Sequence, residues 1–130
     1  MPYRRIDISP MNLNNFTTKS QEALQQASQI AFENQQQAIE PGHILKGMLE
    51  VDENVLPFLF KKQQIDPALI ANGVDAVITS YPKVSGGQPY LSNEGSQLIQ
   101  RATALLKEFG DEYVSLEHIL LALLGGKDPV

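Results

Sequence analysis

The stretch FTTKSQEALQQASQIAFENQQQAIEPGHILKGML, residues 16–49, recurs as LSNEGSQLIQRATALLKEFGDEYVSLEHILLALL, residues 91–124, and this repetition decides the fold. The two stretches align without a gap at a constant offset of 75 residues, so that His43 falls on His118. Repetition on this scale is typical of a structural unit that needs a second copy to cover its apolar face. The sequence therefore predicts an all-α fold with two equivalent pairs of helices, arranged as pseudo-symmetric repeats.

Helical periodicity is present in both copies. Apolar residues at spacings of three and four predict a helix over about residues 18–34 and its copy over about 93–109. Pro41 suits the first turn of the next helix, because its missing N–H would have no partner there. The copy of that helix should be capped by Ser115 and end at the glycine pair of residues 125–126.

Two more helices are predicted before the second copy. One covers about residues 54–62 with Pro57 in its first turn, and the next has Asp66 as its cap and Pro67 as its first residue. The proline and glycine content after residue 80 predicts a linker, and no strand is required, although Tyr113 and Val114 could be briefly extended. The residues expected to face inward are Leu69, Ile70, Val74, Val77 and Ile78 on the fourth helix and Leu98, Ile99, Ala102, Leu105, Leu106 and Phe109 on the fifth.

The chain divides into four parts. We expect a tail or upstream extension over residues 1–10, a first repeat over 11–80, a linker over 81–90 and a second repeat over 91–130. Four predicted helices precede the linker and two follow it, so the second repeat is expected to be incomplete.

An incomplete repeat has a physical consequence. Large apolar side chains left in water forgo about 1.5–3 kcal/mol each. We therefore expect an exposed apolar patch on the last two helices and a tendency to self-associate. Adding about 25 residues, enough for two helices and their loops, should raise the melting temperature.

Composition excludes several classes of function. The net charge of −5 over 130 residues argues against binding to nucleic acid or to an anionic membrane surface. The absence of cysteine excludes disulfides and thiolate metal sites, and it is compatible with a reducing, cytoplasmic location. No apolar run approaches the roughly 18–20 residues of a membrane-spanning helix.

Catalytic motifs are weak or missing. The GGKD of residues 125–128 lacks the spacing and hydroxyl residue of a phosphate-binding loop, so we expect no ATP hydrolysis by this chain. Two histidines, one in each copy, are too few for a metal site, and both are expected to be partly buried residues at helix starts. A Ser–His–acid set stays open, without a G-x-S-x-G motif to support it. We predict no catalytic residue, no metal and no cofactor.

Four residues carry two interpretations each. Asp111 and Glu117 stand near a predicted helix start, where carboxylates interact favourably with the helix dipole, but they could also bind a ligand. Thr17 is either a helix cap or a recognition residue. Leu105 belongs either to the core or to an apolar groove.

Three stretches carry a resemblance to a known family: NFTTK at 15–19, IEPGHIL at 39–45 and GDEYVSLEHIL at 110–120. With the YPKVSGG linker at 81–87, they resemble the N-terminal domain of the Clp-type AAA+ unfoldases, most closely those of the disaggregase (ClpB) type. The resemblance covers residues 11–130. It implies two pseudo-symmetric four-helix repeats, tethered to ATPase modules that form a hexameric ring.

The resemblance also implies a function. Such domains engage unfolded or aggregated polypeptide through an apolar groove, and co-chaperones or adaptors are further partners. The substrate-binding positions of the family match Thr17, Leu105, Asp111 and Glu117 in this chain.

Two alternatives stay open. One is the N-domain of a protease-partner unfoldase, ClpC or ClpA, which binds adaptors or phosphoarginine through a Glu in each repeat. Only the second repeat keeps this Glu, as Glu117, because the first has Gly42 there, which favours the ClpB type. The other is a self-contained helical enzyme with an acidic site at Asp111 and Glu117.

Overall fold

The computed structural model describes residues 15–52, 54–84 and 90–124. Over these residues the fold is all-α, as predicted, with six helices and two strands of two residues each. Residues 1–10 and the predicted helix end at 125–126 lie outside the described part. In chain order the elements are α1 (Thr18–Glu33), β1 (Ala38–Ile39), α2 (Pro41–Val51), α3 (Val55–Lys62), α4 (Pro67–Ser80), β2 (Tyr90–Leu91), α5 (Asn93–Phe109) and α6 (Leu116–Leu124).

The helix starts follow the repeat. α5 begins 75 residues after α1, and α6 begins 75 residues after α2. The Thr17 hydroxyl accepts a hydrogen bond from the Ser20 N–H over 3.1 Å, and the Ser92 hydroxyl accepts one from the Gly95 N–H over 2.9 Å. These matched caps satisfy N–H groups that have no partner within the helix.

The helix pairs are joined by short extended segments that cross between the repeats. Ile39 pairs in parallel with Leu91, and Phe16 forms a parallel bridge with Val114. The 75-residue offset converts one pairing into the other, so the two repeats are related by a pseudo-twofold axis. The extended conformation expected at Val114 is present, but the prediction that no strand is needed is wrong for β1 and β2. The matching hydrogen bonds run from the Ser92 N–H to the Ile39 carbonyl over 3.1 Å and from the Thr17 N–H to the Val114 carbonyl over 3.0 Å.

Two expected core positions are in fact exposed. Leu69 is 68% exposed, because it precedes the buried Ile78 by nine residues, or two and a half turns, and so faces the opposite side of α4. Phe109 is 55% exposed, because α5 ends there and the left-handed Gly110 turns the chain away. The other expected inward positions of α4 and α5 are buried or half-buried.

An apolar patch is present on α5 and α6, although it is smaller than expected. Phe109, Leu121 and Leu124 are exposed, the last by 74%. In the first repeat, the counterpart of Leu121 is Lys46, which forms an ion pair of 2.7 Å with Asp75 of α4. The larger part of the predicted patch is instead covered by the first repeat and by the α5–α6 contact: Leu98, Ile99, Leu106 and Leu123 are buried.

Candidate functional site

Each repeat holds one buried histidine at the start of its second helix, as predicted. In the first repeat, the Glu40 N–H donates to His43 Nδ1 over 2.9 Å, and His43 Nε2 lies 2.6 Å from Gln36 Oε1. Since Nδ1 accepts, the proton is on Nε2 and is donated to Gln36. The Gln36 amide in turn donates to the Ile78 carbonyl over 2.7 Å, which ties α4 to this loop.

The environment of His43 keeps it neutral. The side chain is fully buried, and desolvation lowers the pKa of its imidazole from 6.5 to about 4. A proton added to Nδ1 would also face the Glu40 N–H, which that nitrogen now accepts. His43 is therefore an uncharged hydrogen-bonding link at physiological pH.

The second repeat uses the same arrangement with one changed partner. The Ser115 N–H donates to His118 Nδ1 over 2.9 Å, and His118 Nε2 lies 2.9 Å from Asp111 Oδ2. Asp111 is the counterpart of Gln36, and each stands seven residues before its histidine. Sequence reasoning missed both partners, although this shared spacing was a signal that could have identified them.

Ser115, His118 and Asp111 form a row, but its geometry is structural. The Ser115 hydroxyl is 3.0 Å from His118 Nδ1, while Asp111 is bonded to the other ring nitrogen. The in-plane lone pair of Nδ1 already accepts the Ser115 N–H, so it is not available as a base for the hydroxyl. The first repeat keeps this hydrogen-bond pattern without a serine, which argues against the enzyme alternative.

The four residues singled out from the sequence occupy different settings. The Thr17 main chain is bonded to Val114, so α1 begins beside the loop that carries Asp111 and leads to Glu117. The Asp111 side chain is 50% exposed while it holds His118, and Glu117 is exposed in the first turn of α6. Leu105 is half-buried and packs against the core from α5. Their role in binding stays a prediction.

A second-repeat surface, defined here as Phe109, Asp111, Tyr113 and Glu117, combines exposed rings with carboxylates. The Phe109 ring lies 6.1 Å from the His118 ring, and Tyr113 is about half exposed. Exposed rings beside carboxylates can contact apolar and cationic parts of a polypeptide together.

The equivalent surface of the first repeat is covered. Gly42, the counterpart of Glu117, donates its N–H to the Tyr81 hydroxyl over 3.2 Å, and the Tyr81 ring lies 5.1 Å from the His43 ring. A Cβ at Gly42 would lie only 2.6 Å from that hydroxyl, so no side chain fits there beside Tyr81. The two repeats therefore share a backbone but present different surfaces.

Other classes of site find no support in the geometry. Within residues 15–52, 54–84 and 90–124, no group of three His, Asp or Glu side chains is placed to hold a metal ion. Among the helices of the same residues, none has the length and apolar character needed to cross a membrane.

Comparison with known sequences gives consistent matches. The family model of the Clp repeat (R) N-terminal domain matches residues 15–130. The protein named chaperone protein ClpB of Bacteroides thetaiotaomicron is 56% identical over 120 residues, which are 92% of this chain and 14% of that protein. Its namesake in Porphyromonas gingivalis is 50% identical over 114 residues, 88% of this chain and 13% of that protein. The chain thus spans about a seventh of the length of these relatives.

Solved structures share the fold. The Hsp104 N-terminal domain from Candida albicans has a TM-score of 0.78 at 22% identity, over 88% of this chain and 75% of that chain. The ClpV N-domain in complex with a VipB peptide has a TM-score of 0.72 at 23% identity, over 96% of this chain and 76% of that chain.

Proposed function

Since the chain belongs to the family of Clp repeat (R) N-terminal domains, we propose that it is the polypeptide-binding N-terminal domain of a ClpB-type disaggregating chaperone. Its partners are unfolded or aggregated polypeptides, together with ATPase modules of the same parent chain, which are hexameric. Co-chaperones or adaptors are further partners, and the location is cytoplasmic. Nucleotide chemistry belongs to the ATPase modules, so the isolated 130-residue chain should show no ATP turnover above a buffer blank.

One observation carries the proposal: the second repeat exposes rings and carboxylates at a surface that the first repeat covers with Tyr81. Large exposed rings cost a monomeric domain solubility, and their grouping at one surface is typical of an interaction site. In the solved ClpV complex, an N-domain of this fold holds a peptide. Binding through a few rings and charges should be weak and broadly specific, as suits clients without a common sequence.

The alternative is an N-domain that reads adaptors or phosphoarginine for a protease-partner unfoldase. Glu117, exposed in the first turn of α6, supports one such site. A second site would need an acidic side chain at Gly42, where Tyr81 leaves no room. The arrangement therefore favours the ClpB-type function.

Replacing Glu117 by Ala should weaken binding of a fluorescently labelled unfolded protein about three- to tenfold, because a charge-assisted contact is lost. Asp111→Asn should have a similar effect, since Asn keeps an acceptor for His118 while removing the charge. The measurement is fluorescence anisotropy at low ionic strength, with helical circular dichroism recorded in parallel.

Glu94→Ala is the matched control, because Glu94 is also an exposed acid in the first turn of its helix. It should leave affinity unchanged. Equal affinity for all three variants would reject the proposed surface, and loss of helical signal would assign Asp111 and Glu117 to the fold alone.

A further inference from the structure

The segment that follows α4 places one side chain in a slot of the first repeat. The Tyr81 ring lies against His43, and its hydroxyl accepts the Gly42 N–H from the first turn of α2. His43 and Gly42 are buried, and Tyr81 packs against the core. The slot therefore has an apolar and aromatic wall with one fixed donor at its end.

The rest of this segment is held lightly. The Val84 N–H donates to the Gln35 carbonyl over 2.8 Å, and Lys83 Nζ reaches the Asn34 carbonyl over 3.4 Å. Pro82 has no N–H to donate, and residues 82–84 are all exposed. The Tyr81 side chain is thus the main packed anchor of residues 81–84.

We propose that this slot, formed by Gly42 and His43, is a phenol-binding site whose built-in occupant is Tyr81 and which accepts the tyrosine side chain of a bound polypeptide when Tyr81 leaves. The slot is shaped for a six-membered ring, and the Gly42 N–H selects a ring with an acceptor oxygen. A phenylalanine would leave that N–H unpaired, so its binding should be about tenfold weaker.

The second repeat has no such site. Glu117 replaces Gly42, and its Cβ takes the space of the hydroxyl, while Phe109 lies beside His118. The site in the first repeat therefore depends on glycine at position 42 and is specific to one half of a symmetric backbone.

Competition with the built-in occupant sets the affinity. An attached side chain competes at an effective concentration in the millimolar range, so an isolated tyrosine should bind the intact chain poorly. A client with many tyrosines close together, as in an aggregate, competes better. Only this source of the ligand depends on the proposed function, because the slot itself rests on the contacts of Tyr81.

The test removes the occupant and supplies a probe. Tyr81→Ala should bind p-cresol saturably and at least tenfold more tightly than the unaltered chain, with shifts at the Gly42 amide and the His43 ring in NMR spectra. Toluene, which lacks the hydroxyl, should bind about tenfold more weakly than p-cresol. Tyr90→Ala is the control, because Tyr90 is exposed and its loss opens no slot.

The proposal is overturned if folded Tyr81→Ala binds p-cresol no better than Tyr90→Ala, or binds toluene equally well. Should Tyr81→Ala not fold, the unaltered chain is titrated with the peptides SYPKV and SFPKV. Only the tyrosine peptide should shift the Gly42 amide, and equal shifts, or none, would reject the site. A client binding more tightly to Tyr81→Ala, with Glu117→Ala without effect, would retain this site and reject the second-repeat surface.

Discussion

Lowering the pH from 7 to 5 is expected to cost this domain about 2 kcal/mol of unfolding free energy through His43 alone. Burial lowers the pKa of His43 from 6.5 to about 4, so between these values the unfolded chain binds a proton that the folded chain does not. Stability is therefore highest above pH 6.5 and falls as the pH decreases toward 4. The full cost, reached below pH 4, is about 3 kcal/mol.

Urea unfolding at several pH values between 5 and 7 measures this slope without protonating most carboxylates. His43→Gln should be less stable at neutral pH and should show a much flatter dependence on pH. His118→Gln is the equivalent change in the second repeat and should leave the His43 contribution in place. A slope that persists unchanged in His43→Gln would show that another group is responsible.

The repeat makes the helical framework predictable from the sequence alone. A constant offset carries cap onto cap and proline start onto leucine start, so it matches Thr17 with Ser92 and Pro41 with Leu116. Burial of the two histidines is predictable as well, because a histidine among apolar residues at a helix start usually satisfies the backbone there. Local periodicity and capping are properties of adjacent residues, which a sequence shows directly.

Contacts between the repeats are not predictable in the same way. Two-residue strands have too few positions to show alternation, so β1 and β2 leave no pattern in the sequence. Gln36 and Asp111 share a role but little chemistry, and an alignment by similarity passes over them. Tyr81 lies in a stretch with the composition of a linker, and nothing local indicates that its ring reaches Gly42.

The asymmetry between the repeats follows from a few side chains. The backbone is the same at the two loops, where Gln35 and Gly110 both adopt positive φ values of 58° and 68°. Glycine at position 42 admits Tyr81, whereas Glu117 excludes any equivalent ring and leaves a carboxylate at the surface. A duplicated fold can thus hold two surfaces of different chemistry, one closed by its own chain and one exposed.

The close contact between α1 and α2 supplies the other large expected effect. A Cβ built on Gly47 of α2 would lie 3.0 Å from the Ala27 nitrogen of α1 and nearer still to the Ala23 carbonyl. Both neighbours are backbone atoms, which can yield only if the helices move apart. Gly47→Ala should therefore lower the unfolding free energy by about 2 kcal/mol, within the range for overpacked cores, despite the better helix propensity of alanine.

Gly73→Ala is the matched control for this change. Gly73 is an exposed residue inside α4, and a Cβ there meets no atom within 4 Å. Its replacement should raise the unfolding free energy by about 1 kcal/mol, because only the backbone entropy of glycine is removed. Urea denaturation of the two variants should therefore give shifts of opposite sign. If Gly47→Ala is as stabilising as Gly73→Ala, α1 and α2 do not pack as closely as their backbones indicate. The second repeat supports the same reasoning: Ala122 occupies the position of Gly47, so the α5–α6 crossing already accommodates a methyl group.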